Sequence, residues 1–135
     1  MKIWLLKTEP SNYSLADLER DGETMWDGVG NNQALQNIRL MEAGDLALIY
    51  HTGDEKCIVG LADVTRGFYV NPEFSDPKLA VCDVKFRARL ERPITLAQIK
   101  TVPELVDWAL VRNSRLSVVP VSEAQWKIVQ TLRER

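Results

Sequence analysis

The segment from Val84 to Glu91 constrains the fold more than any other part of the chain. Val84, Phe86, Ala88 and Leu90 alternate without a break with Lys85, Arg87, Arg89 and Glu91. A helix would scatter these apolar residues around its circumference, whereas a strand puts them all on one face. The segment therefore predicts a half-buried strand of an antiparallel sheet, its apolar side on the core and its basic side outward. An outward row of cations suits either a phosphate backbone or plain solvent. The solvated face is the commoner case and is the expectation here.

The neighbouring segments are compatible with such a sheet. Lys2 to Lys7 is apolar on both faces and reads as a central strand, stopped by Pro10. Leu46 to His51 and Ile58 to Val64 read as a hairpin closed around Thr52-Gly53-Asp54. Arg115 to Pro120 reads as a last short strand. Arg66 to Lys78, with Asn71-Pro72 and Asp76-Pro77, reads as a loop. Helices are expected after Ser14 as N-cap, with Leu15 and Leu18 inward, and over Leu35 to Met41. A short one should follow Thr95, and a C-terminal one Ser122, with Trp126, Val129 and Leu132 inward. Val102 to Asn113 carries no clear periodicity, and Arg133-Glu134-Arg135 is expected to fray. Strands and short helices mix without a βαβ rhythm. The reading is one α+β domain over residues 1–135, with most strands in a strongly curved sheet or small barrel.

Composition excludes several functions. The chain has 135 residues, a net charge of −2 and a pI near 5.5. That argues against coating a duplex by phosphate neutralisation but leaves room for a pocket that takes one base. With one histidine, His51, and two distant cysteines, Cys57 and Cys82, no metal-ligand spacing forms. Both cysteines read as small buried hydrophobes. No cofactor is expected. No apolar run is long enough for a membrane span or signal peptide, so the default expectation is a cytosolic protein.

The chemistry concentrates in Trp26-Asp27-Gly28-Val29-Gly30-Asn31-Asn32-Gln33-Ala34. An aromatic ring precedes two glycines, which let backbone approach a ligand closely. A helix start follows, with its unpaired N–H groups. That combination suits a planar polar heterocycle such as a nucleobase. The same residues also make an ordinary capped helix with a core tryptophan, and the pattern alone leaves both open. Lys7 and Glu9, at the end of the first strand, read either as a surface ion pair or as charges at a pocket mouth. Tyr50 and His51 are successive in a strand and so face opposite ways.

Several motifs in order resemble the EVE domain family over essentially the whole chain. They are Trp4-Leu5 with Lys7-Thr8-Glu9-Pro10, then Trp26-Asp27-Gly28-Val29, Asn31 and Gln33-Ala34. Gly44-Asp45, Tyr50-His51, Asp83-Val84-Lys85-Phe86, Arg92-Pro93, Arg115-Leu116-Ser117-Val118 and Pro120-Val121 follow. The resemblance implies a PUA-like β-barrel with flanking helices, and kinship with YTH domains, which cage a modified RNA base among aromatic rings. It implies a non-catalytic module that captures a flipped, modified base of DNA or RNA. Carried over by position, Trp26 is a cage wall. Asn31 and the backbone at Gly28 and Val29, beside Asp27, hydrogen-bond the base edge. Lys7, Glu9, Tyr50, His51 and Ser117 line or support the pocket. Family members usually read Trp-Asp-Gly-Val-Arg-Asn-Tyr-Gln-Ala-Arg, so Gly30, Asn32 and Leu35 stand here for two arginines and a tyrosine. Leu79 stands about where an aromatic is usual, opposite the first wall, and offers apolar contact without a π face.

Two rivals accompany this expectation. One is a nuclease or nucleotide hydrolase using Lys7, Glu9, Tyr50 or His51, for which the sequence supplies candidates but no recognised constellation. The other is a small-molecule or protein-interaction module that kept the fold and lost nucleic acid, as the acidic pI and missing arginines suggest.

Overall fold

The computed structural model describes residues 1–132. The expected frayed end at Arg133-Glu134-Arg135 lies outside the described residues. Among the described residues six strands form one mixed sheet: β1 (Ile3–Thr8), β2 (Glu23–Trp26), β3 (Leu46–His51), β4 (Cys57–Val70), β5 (Ala80–Thr95) and β6 (Val118–Val121). Their order across the sheet is β2-β5-β4-β3-β1-β6. β2 and β6 are edges that do not pair with each other, so the sheet curves but stays open, and the alternative of a closed barrel is not met.

β3, between β1 and β4, is buried along its whole length. β1 runs parallel to it, Ile3 opposite Leu46 through Thr8 opposite His51, and antiparallel to β6. The expected hairpin of β3 and β4 is present, with a register shift at Ile49/Tyr50. In β5 the alternation is realised. Val84 and Leu90 are buried and Phe86 and Ala88 half-buried, while Lys85, Arg87, Arg89 and Glu91 are exposed. Where a loop was expected from Arg66, β4 continues to Val70 and only residues 71–79 are loop. Register shifts between Val64 and Tyr69 scramble the period-two pattern there, which hides the strand from inspection of the sequence.

The helices are short and capped by local chemistry. In α1 (Leu15–Asp21) Ser14 Oγ accepts from the Asp17 N–H, and Asp17 accepts from the Ser14 N–H. Leu15 and Leu18 are fully buried. α2 spans Asn32–Ile38, three residues earlier than expected, because Asn31 caps it. Ala34 and Ile38 of this helix are buried, as is Met41 just beyond it. Buried Asn37 ties α2 to β6 by donating to the Val118 carbonyl at 2.8 Å. α3 (Leu96–Lys100) carries the Thr95–Gln98 capping box. The uninterpretable 102–113 segment folds as a 3-10 turn (Pro103–Leu105) and α4 (Ala109–Arg112). Trp108, 2% exposed, holds it to the sheet edge through Nε1–H to the Pro120 carbonyl at 3.0 Å. α5 (Glu123–Leu132) is capped by Ser122 with Gln125. Val129 and Leu132 are buried and Trp126 half-buried. One apolar core runs from Ile3 to Leu132 and includes both cysteines.

Candidate functional site

The ends of three strands open on one side of the sheet. β1 finishes at Lys7 and Thr8, β2 finishes at Trp26, and Ser117 precedes β6. β1 and Ser117 are pinned together, since the Lys7 N–H donates to the Ser117 carbonyl at 2.9 Å. Past β1 the chain turns at Glu9, whose carbonyl accepts from the N–H groups of Asn12 and Tyr13 at 2.9 Å each. Past β2 it turns through Asp27, Gly28 and Val29. Gly28 has φ of +77°, a left-handed conformation that other residues rarely adopt. These segments enclose a cavity of about 540 Å³. That volume is ordinary for a small-molecule or cofactor site.

Its apolar lining residues are Tyr13, Met25, Trp26 and Val29. Trp26 is 6% exposed, so most of its ring is packed into the core. Tyr13 stands at right angles to it, with ring centroids 6.3 Å apart and planes at 85°. The Tyr13 hydroxyl donates to Asp21 at 2.8 Å, which anchors the ring to the end of α1. Burial and the Asp21 carboxylate push the Tyr13 phenol up.

Polar lining residues are Lys7, Thr8, Glu9, Asn12, Thr24 and Ser117. Lys7 is half-buried, and burial pushes its ammonium down from the ordinary value. Nζ donates to the Ser114 carbonyl at 3.1 Å and lies 5.8 Å from the Tyr50 ring centroid. Among the described residues no carboxylate forms an ion pair with it. Glu9 accepts from the Ser11 hydroxyl and the Thr52 hydroxyl, each at 3.3 Å. The carboxylate lies against Gly53, where an added Cβ would stand 2.9 Å from Glu9 Oε2. The surface-ion-pair reading of Lys7 with Glu9 is therefore not what the structure contains.

The cavity thus brings together Trp26, Asp27, Gly28, Val29, Lys7, Glu9 and Ser117 from the expected set. It does not include Asn31, Tyr50, His51 or Leu79. Asn31 is drawn away by its helix: its Oδ1 accepts from the Ala34 N–H at 3.0 Å, satisfying an otherwise unpaired first-turn amide. Tyr50 is 3% exposed and lies behind Lys7; burial pushes its phenol up to about 12. His51 is 7% exposed and uses both ring nitrogens. Nε2 accepts from the Leu15 N–H at 3.0 Å, and Nδ1 faces Glu55 at 2.9 Å. Leu79 closes the β4–β5 hairpin, its carbonyl accepting from the Asn71 N–H at 2.8 Å. Sequence reasoning missed Thr8, Asn12, Tyr13, Thr24 and Met25. Tyr13 had a signal, an aromatic in the polar turn Glu9-Pro10-Ser11-Asn12. Thr24 and Met25 had none, because a four-residue edge strand is too short to show its period.

The outer row of β5 is the solvated face that was expected. Arg87 pairs with Asp63 at 3.2 Å and Arg89 with Glu19 at 2.9 Å. Among the substituted positions, Leu35 is 3% exposed and Gly30 and Asn32 are exposed.

The EVE domain matches residues 2–132. Human thymocyte nuclear protein 1 is 29% identical over 166 residues, spanning 98% of this chain and 74% of its own length. A protein from Rhodopseudomonas palustris, solved by NMR, is 38% identical with a TM-score of 0.93, covering 99% of this chain and 94% of its own. The crystal structure of human THYN1 protein in complex with DNA containing 5-methylcytosine is 28% identical, TM-score 0.90, over 100% of this chain and 99% of its own. The curated relatives are named nuclear, in contrast to the cytosolic default. Among the described residues no helix is long and apolar enough to cross a membrane.

Proposed function

The chain belongs to the EVE domain family, and we propose that it is a non-catalytic nucleic-acid-binding module whose cavity beside Trp26 takes one extruded, modified base. The first candidate is 5-methylcytosine in DNA, since the similar human protein has been crystallised with DNA containing that base. The observation that carries the reading is the corner of Trp26 and Tyr13 on a cavity that polar side chains also line. A base needs an apolar wall for its face and hydrogen-bonding groups for its edge. Met25 and Val29 add apolar surface on which a methyl group gains contact.

Extruding a base costs a few kcal/mol, least from a single strand or a damaged duplex. Contact with Trp26 and pairing of the base edge offset that cost. The acidic charge, the paired arginines of β5 and the arginines absent at Gly30 and Leu35 all reduce the phosphate contribution. Affinity is then expected to rest on the pocket and to fall only gently with salt. A hydrolytic role fits less well, because the single histidine is outside the cavity and both of its ring nitrogens are occupied.

The test is fluorescence anisotropy with single-stranded oligonucleotides carrying one 5-methylcytosine or one cytosine. Binding of the methylated strand should be tighter, and Trp26→Leu should weaken it by roughly 1–3 kcal/mol. Dissociation constants no better than about millimolar for every oligonucleotide, or indifference to Trp26→Leu, would overturn the reading.

A further inference from the structure

Lys7 and Glu9 are two residues apart, and both border the cavity. Their hydrogen-bonding roles are fixed. An ammonium only donates and an ionised carboxylate only accepts, unlike an amide, which can flip. Neither is used up. Lys7 has three N–H groups and gives one to the Ser114 carbonyl, and no carboxylate among the described residues pairs with it. Glu9 has about four lone-pair sites and accepts only long bonds, at 3.3 Å, from Ser11 and Thr52 hydroxyls, with a 3.5 Å approach of the Ser11 N–H. A half-buried cation without a counter-charge is costly unless something else completes its shell.

Resting on the base-capture reading above, we infer that Lys7 and Glu9 select bases with an exocyclic amine beside a ring-nitrogen acceptor over thymine and uracil, which carry a carbonyl oxygen at the amine's position. The amine of cytosine donates to the Glu9 carboxylate, and its N3 or O2 accepts from the Lys7 ammonium. A carboxylate accepting from the cytosine amine is an established pairing chemistry. Thymine places a carbonyl oxygen where that amine would be, so two acceptors oppose each other and the carboxylate loses its donor. Adenine has the same amine-next-to-acceptor edge and passes this filter; uracil, with a carbonyl in place of the amine, does not. Within this division of labour the apolar wall senses the methyl group and the charged pair senses the base.

Thymine is the decisive probe, because it carries the same 5-methyl group on the same ring and differs from 5-methylcytosine only in its pairing edge. Single-stranded DNA with one 5-methylcytosine or one thymine at the same position is titrated against the intact chain by anisotropy. The wild-type protein is expected to prefer 5-methylcytosine by about tenfold or more, the scale of one mispaired polar edge. Glu9→Gln, whose amide can face either edge, should bring that ratio to about threefold or less, with its fold checked by thermal melting. Lys7→Met should weaken 5-methylcytosine binding by about tenfold. Equal binding of the two oligonucleotides by the wild-type protein, or an unchanged ratio in Glu9→Gln, overturns the inference while base capture stands. Binding of neither oligonucleotide overturns base capture and this inference together.

Discussion

Tyr13 meets Trp26 edge to face, with centroids 6.3 Å apart and planes at 85°, although the two lie in different segments on either side of α1. The contact closes the turn after β1 against the end of β2 and gives the cavity its aromatic corner. Such pairs contribute about 0.5–1.5 kcal/mol beyond area burial. Tyr13→Leu should lower stability by at least that much in urea titration. It should also weaken oligonucleotide binding, while Trp26→Leu in the same background should cost less than it does alone.

Asn31 separates a structural role from a ligand role. As an N-cap, Asn31→Ala should cost about 0.5–2 kcal/mol, and Asn31→Asp should restore most of it, since aspartate caps equally well. If base binding in Asn31→Asp matches wild type, the cap is the residue's whole contribution. A selective loss of binding in that variant would return Asn31 to the pocket.

His51 should matter for stability and not for binding. Its Nε2 satisfies the Leu15 N–H at the start of α1, in a buried setting. His51→Ala leaves that amide unpaired, at about 1–3 kcal/mol. Affinity for oligonucleotides, measured well below the melting temperature, should stay within about twofold of wild type.

Asp45 predicts acid sensitivity. It is 3% exposed and accepts from the Lys2 N–H, the Trp4 indole N–H and the Glu42 N–H at 2.9–3.0 Å. Burial opposes its charge, but these donors and the Lys2 ammonium outweigh burial and hold the carboxyl below its usual range. A carboxyl lowered by folding stabilises above its unfolded pKa of about 3.9, and that stability is lost as pH falls through the folded value. Chemical denaturation should therefore show stability falling below about pH 4. Asp45→Asn should be less stable at pH 7 by about 1–3 kcal/mol and flatter in acid.

Lys7 predicts a conflict between stability and binding. Burial pushes its ammonium down, so the folded state disfavours that charge. Between the folded value and the unfolded pKa of about 10.4, the unfolded chain holds more protons, and stability rises with pH. Lys7→Met should accordingly melt at the same temperature as wild type or higher at pH 7, and the difference should shrink toward pH 10. A marked drop in melting temperature at pH 7 would show that Lys7 is a structural residue.

Local chemistry alone determined much of this protein. The Val84–Glu91 alternation, the N-cap at Ser14, the capping boxes at Thr95 and Ser122, and the apolar runs of β1 and β3 all act within a few residues, so they are legible in order along the chain. Trp26 with its glycine turn was legible for the same reason, as were Lys7 and Glu9 at a strand end. The rest needed the tertiary structure. Bulges erased the period of β4 beyond Val64, and β2 is too short to have one. Sequence shows a residue's capacity to bond but not which partner takes it: Asn31 was claimed by an amide three residues on, and His51 by a helix start 36 residues back. Tyr13 entered the site only because β2 pairs with β5, placing the Trp26 ring within its reach. Competition among distant partners is decided by packing, and packing exists only once the chain has folded.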